Sequence, residues 1–144
     1  MRKSGAKRKH LDPMGCINMR MPIDVKHAHD FSRHYRAALL AFTNGIGSRQ
    51  HWQTLADALN VARKLCEDGT GSEYTDDVIK AQFAVKSCLY RYRDSGRWGL
   101  SGDELNSVKR GLNIADAQYE ISSPLHLRTA MRNVIKSVAM GDHL

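Results

Sequence analysis

Seven histidines are the first residues to invite chemistry, and His27, His29, His34 and His51 fall close together in the chain. His27, Asp30 and His34 stand at i, i+3 and i+7, a spacing that sets two imidazoles and a carboxylate on one side of a helix, as a metal ion needs. A solvated polar face produces the same spacing, and neither H-E-x-x-H nor a second carboxylate cluster accompanies it. No metal or other cofactor is therefore expected. Nucleophilic catalysis lacks its signatures too: there is no G-x-S-x-G turn, no glycine-rich phosphate loop and no paired acids in a loop. Asp103 and Glu104 are explained by a helix start, where the backbone dipole favours carboxylates. Cys16, Cys66 and Cys88 are odd in number and without C-x-x-C spacing, which argues for reduced thiols over a disulfide framework or a zinc site. Cys66 and Cys88 fall on apolar stripes and read as small buried hydrophobes. The chain reads as a non-enzyme.

Cations are the better candidates for function. The formal net charge is +7, and Arg2, Lys3, Lys7, Arg8 and Lys9 all precede the first acid, Asp12. Five positive charges on a segment without apolar periodicity can meet phosphates or an acidic protein patch regardless of sequence. Arg128, Arg132 and Lys136 recur at i, i+4 and i+8 and make a second basic row on the last helix. Arg91 and Arg93 alternate with Tyr90 and Tyr92, close to Arg97 and Trp98, mixing cations with aromatics as single-strand binders do. Tyr92 also belongs to an apolar seam, and Trp98 reads as a cover over the end of a helical bundle.

The elements that hold these residues follow from apolar rhythm. At 144 residues the chain fits a single domain, large enough to bury about two thirds of its unfolded surface. It is divided into a basic flexible arm and extended lead-in, 1–22, and a helical bundle, 23–141. Asp24 is placed to cap the first helix, whose stripe is Ala28, Phe31, Tyr35, Ala38 and Phe42, spaced three, four, three, four. Ser48 caps a second, with Trp52, Leu55, Leu59, Ala62 and Cys66. Thr75 caps a third, with Val78, Ala81, Val85, Cys88 and Tyr92. Ser101 and Glu104 form an S-x-x-E capping box before Leu105, Val108, Leu112, Ala115 and Tyr119. Ser123 and Pro124 open a fifth helix with Leu127, Met131, Val134 and Val138 facing inward, ended by Gly141. Five amphipathic helices with short connections and no convincing strand predict an all-α single-domain bundle. Leu40, Ile79 and Phe83 lie off these seams, with no place assigned by periodicity.

No apolar run reaches the roughly 18 residues of a membrane span, and no apolar stretch of a signal peptide follows the basic start. A soluble cytoplasmic protein is the expectation.

The Lys7-Arg8-Lys9 arm, the Asp12-Pro13-Met14 lead-in, the Ser95-Gly96-Arg97 break, and the Glu104-Leu105-Asn106 and Asp116-Ala117-Gln118 segments resemble those of small, mostly uncharacterised helical proteins of proteobacterial phages and prophages. The resemblance implies a phage accessory protein, a class that includes anti-CRISPR inhibitors, and brings no catalytic residues. Two functions are compatible with the chain. One is a non-enzymatic binder that inhibits or modulates a host or phage protein, such as a nucleic-acid-handling complex. The other is a direct DNA- or RNA-binding accessory factor using the arm and the last helix.

Overall fold

The computed structural model describes residues 25–139, with side chains over 30–136, and across them the chain is all-α. The helices are α1 (Val25–Thr43), α2 (Arg49–Glu67), α3 (Thr75–Ser95), α4 (Gly102–Ile121) and α5 (Pro124–Ala139), with one 3-10 turn, Ser72–Tyr74, leading into α3. The 1–22 arm with its five cations, Cys16, the Asp24 cap and Gly141 lie outside the described residues, as do the side chains of His27, His29, Ala28 and Val138.

Helix ends follow the local chemistry of the sequence. Ser101 Oγ accepts from Glu104 N at 3.2 Å while Glu104 Oε1 accepts from Ser101 N at 2.8 Å, so two backbone donors at the start of α4 are satisfied reciprocally. Ser48 makes the same box with His51, whose Nδ1 accepts from Ser48 N at 3.1 Å. An imidazole does here what Glu or Gln usually does. Gly96 ends α3 at φ +75°, its N–H returned to Tyr92 O at 2.7 Å, a backbone position open to glycine at no steric cost. Ser123 Oγ accepts from His126 N at 3.0 Å, ahead of Pro124 at the first position of α5.

Thr75 departs from its expected role. Tyr74 is the cap residue of α3, and Thr75 is already helical. The 3-10 turn runs straight into the helix, and Thr75 Oγ1 donates back to Ser72 O at 2.7 Å. Already inside the helix, it stands one residue past the capping position.

All five stripes meet in one core. Phe31, Tyr35, Ala38 and Phe42 of α1, Val78, Ala81, Val85 and Cys88 of α3, Val108, Leu112, Ala115 and Tyr119 of α4, and Leu127, Met131 and Val134 of α5 are buried together. Trp52, Leu105 and Tyr92, at the stripe ends, are half-buried. The centre is α2, against which α1, α3, α4 and α5 all pack. A helix with one neighbour hides one stripe, whereas a helix with four hides a wider arc. Accordingly Ala56, Ala58, Val61 and Leu65 are buried in addition to the predicted positions.

Helices α3 and α4 share the closest approach. A Cβ placed on Gly111 would lie 2.7 Å from the Ala81 Cβ and 2.8 Å from Leu59 Cδ2. Leu59 can rotate, but the Ala81 Cβ moves only with its helix. Gly111→Ala gains about 1 kcal/mol of helix propensity against about 1–3 kcal/mol of overpacking. The expected outcome is a net loss of about 1 kcal/mol in urea unfolding; a gain of stability would show that α3 and α4 separate freely.

Candidate functional site

The densest polar cluster joins α1 to α4. Asp116 accepts from Ser32 Oγ at 2.7 Å, from Arg36 Nη2 at 2.5 Å and from the Tyr35 hydroxyl, and the same guanidinium reaches Asn113 Oδ1 at 2.6 Å. Burial raises the Asp116 pKa, but hydrogen bonds from Arg36, Tyr35 and Ser32 together outweigh it and hold the carboxyl below its ordinary value. Tyr35 is pushed up, chiefly by burial and then by Asp116. Behind them Phe31 stacks on Tyr119 with ring centres 6.0 Å apart, and Tyr35 meets both rings edge-on. An ionised acid accepting from three side chains, beside a phenol held protonated, has most of its acceptor capacity committed within the cluster. This cluster clamps two helices.

The cation–aromatic stretch at the end of α3 is also used internally. Arg91 pairs with Glu104 at 2.5 Å and donates to Gly99 O at 2.9 Å. Burial raises the Glu104 pKa, yet the hydrogen bond from Arg91 and the capping bonds from Ser101 bring it below its ordinary value. Trp98 stacks on Tyr92, ring centres 3.9 Å apart, and lies 6.1 Å from Trp52, whose Nε1 donates to Val85 O at 2.9 Å. Together they fasten the 96–101 connection over the end of the bundle. Arg93 stays exposed, its guanidinium 5.9 Å from the centre of the Tyr90 ring.

Arg128, Arg132 and Lys136 are exposed on α5 and have no ion-pair partner among the described residues. Helical spacing puts Leu125 in line with them, 71% exposed, and four residues earlier Ile121 ends α4 at 75% exposed. These are the two most exposed of the large hydrophobic side chains described. The sequence reading did not single them out, because periodicity assigns apolar residues to seams and says nothing of those left over at a helix corner. Of the predicted site residues, then, Arg128, Arg132 and Lys136 share one face, while Arg91 and Arg93 belong to α3, which shares no substantial interface with α5.

Elsewhere the surface is mixed. An open groove of about 490 Å³ between α3 and α4 is lined by Asp77, Lys80, Asp103, Asn106, Ser107 and Arg110, and Arg110 pairs with Asp77 across it at 3.1 Å. His34 and Asp30 are exposed, and Asp30 sits 3.3 Å from Arg33; no group of three or more metal-ligating side chains occurs among the described residues. Burial pushes the Cys66 and Cys88 thiols up, away from the reactive thiolate. No helix among the described residues is long and apolar enough to cross a membrane. Comparison of the chain with protein-family models, with curated proteins and with solved structures returns no significant match.

Proposed function

We propose that this chain is a non-enzymatic accessory protein that binds an acidic protein surface and so inhibits or modulates its target, in the manner of the small helical phage proteins it resembles, anti-CRISPR inhibitors among them. The observation that carries this reading is the outer face of α5, where exposed Leu125 heads a row of three cations. Exposed Leu125 supplies an apolar anchor, and Arg128, Arg132 and Lys136 supply a complementary rim that steers encounter. Aliphatic side chains offer no ring on which a base could stack, so this face suits a protein better than a single strand. The titratable groups driven furthest from their ordinary values, Tyr35 and Tyr119, are buried between helices and not around a cleft, which is the pattern of structural use.

The charge row alone also fits a phosphate backbone, and with Arg2, Lys3, Lys7, Arg8 and Lys9 it supports direct DNA or RNA contact as the second reading. Salt and nuclease separate the two. Immobilised protein should retain one host protein from nuclease-treated lysate, and Arg128→Glu/Arg132→Glu/Lys136→Glu should release it. Retention unaffected by the three reversals would overturn the α5 assignment. Affinity for duplex DNA that falls a few hundredfold between about 50 and 200 mM salt, as five phosphate contacts require, would instead establish the second reading.

A further inference from the structure

The outward face of α3 has a pattern of its own. Asp76, Lys80, Phe83, Ser87, Tyr90 and Asp94 recur at four, three, four, three and four, a helical stripe opposite the buried seam of Val78, Ala81, Val85 and Cys88. All six are exposed, Phe83 by 61% and Tyr90 by 52%. Two aromatic rings on the water side of a helix are not needed to build the core. None of Asp76, Lys80, Asp94 or Arg97 has an ion-pair partner among the described residues.

From the charge order of this stripe we infer that α3 pairs antiparallel with α3 of a second copy of the chain, about a two-fold axis near Ser87. A two-fold interface must be complementary to itself, each residue meeting the counterpart of its own partner. Reversed about residues 86 and 87, the stripe sets Phe83 against Tyr90 and Lys80 against Asp94, each pair occurring twice. Ser87, small, lies at the crossing and lets the backbones approach. Phe83 and Tyr90 are about 10 Å apart along the axis at 1.5 Å per residue, so the four rings of the two copies form one central patch. Lys86 and Arg93 stand at its rim, Arg93 already against the Tyr90 ring.

A phosphate strand fits this face less well. Asp76 and Asp94 interrupt it, and with Lys80 they leave the six-residue stripe a formal charge of −1. Two helices of this length bury on the order of 1,000 Å², the size of a weak, reversible association. The +7 charge of each chain opposes encounter at low ionic strength, and about 0.15 M salt shortens that repulsion to about 8 Å.

The test is sedimentation velocity on the full chain over a concentration series. The wild type shifts from monomer to dimer, Phe83→Glu raises the dimer Kd at least about tenfold, and Lys80→Asp does the same by placing acid against Asp94 of the second copy. Lys80→Asp/Asp94→Lys exchanges the charges and restores the dimer, a rescue that loss of folding could not give; circular dichroism reports that each variant keeps its helices. Arg128→Glu/Arg132→Glu/Lys136→Glu leaves the dimer intact, so failure of the α5 reading and failure of this one are separate results. A wild type that stays monomeric up to about 1 mM, the weak end of specific association, overturns the proposal, as does a double variant no better than Lys80→Asp. Oligo(dT) binding by a monomer, lost in Phe83→Glu, would assign the rings to base stacking instead.

Discussion

Leu112→Ala should lower the unfolding free energy by about 2–5 kcal/mol, while Lys109→Ala, three residues away on the same helix, should change it by less than about 0.5 kcal/mol. Leu112 has no exposure and sits in the shared core, whereas Lys109 is exposed. Removing the isobutyl group forfeits its transfer free energy and leaves a cavity that the surroundings fill poorly. The neighbouring Gly111 is already at the limit of approach, held by the rigid Ala81 Cβ, so α3 cannot move inward there without a clash. Collapse of the site is therefore restricted, which places the cost toward the upper part of the range. Urea denaturation followed by Trp52 and Trp98 fluorescence measures both variants. Equal midpoints would mean that the stripe of α4 does not face the core. Against a typical total of about 5–15 kcal/mol, a cost of this size removes much of the stability of the domain.

That contrast was legible before any coordinates, because burial in a helix follows a period that apolar residues display by themselves. The Ser101–Glu104 box and the Gly96 stop were legible for a similar reason: their hydrogen bonds close within four residues. The Ser48–His51 box was half legible, since Ser48 is a familiar cap but the imidazole is an uncommon partner. What escaped depended on residues far apart in the chain. Asp116 follows the seam residue Ala115, and nothing in its neighbourhood indicates that Ser32 and Tyr35, more than eighty residues earlier, donate to it. Gln118, equally polar and equally silent in the pattern, is buried with its Nε2 shared between Ala62 O at 3.0 Å and Thr70 O at 2.9 Å, tying α4 to the end of α2. The same limit explains Arg91: its spacing from the other cations indicated a binding residue, and only the return of the chain at Gly99 to Glu104 gives it an internal use. Exposed Leu125, Ile121 and Phe83 mark the converse case, where apolar character is present and the period does not say that a partner is absent.

Asp116→Ala should cost about 2–3 kcal/mol and flatten part of the acid limb of the stability profile. The deletion removes the acceptor common to Ser32, Tyr35 and Arg36, leaving a hydroxyl inside the core and a guanidinium without its carboxylate. Breaking a fully buried charge pair costs about 3–5 kcal/mol; here about a third of the Arg36 and Asp116 side chains meets water, which screens the loss. The pH dependence has a definite sign. The folded pKa of Asp116 lies below its ordinary 3.8, so the folded state holds fewer protons on this group than the unfolded chain does in that range. Its contribution is complete above the unfolded value and is lost as pH falls from about 4 through the folded one. Glu104, lowered from 4.5, adds a second loss of the same sign over the same interval. Asp116→Asn, which keeps the shape and removes the titration, should therefore be less stable than wild type at pH 7 and converge toward it as the pH approaches 2. Wild-type and variant curves that stay parallel from pH 7 to pH 2 would show that Asp116 is not held ionised by the α1–α4 clamp, and the assignment of this cluster to structure would fall with it.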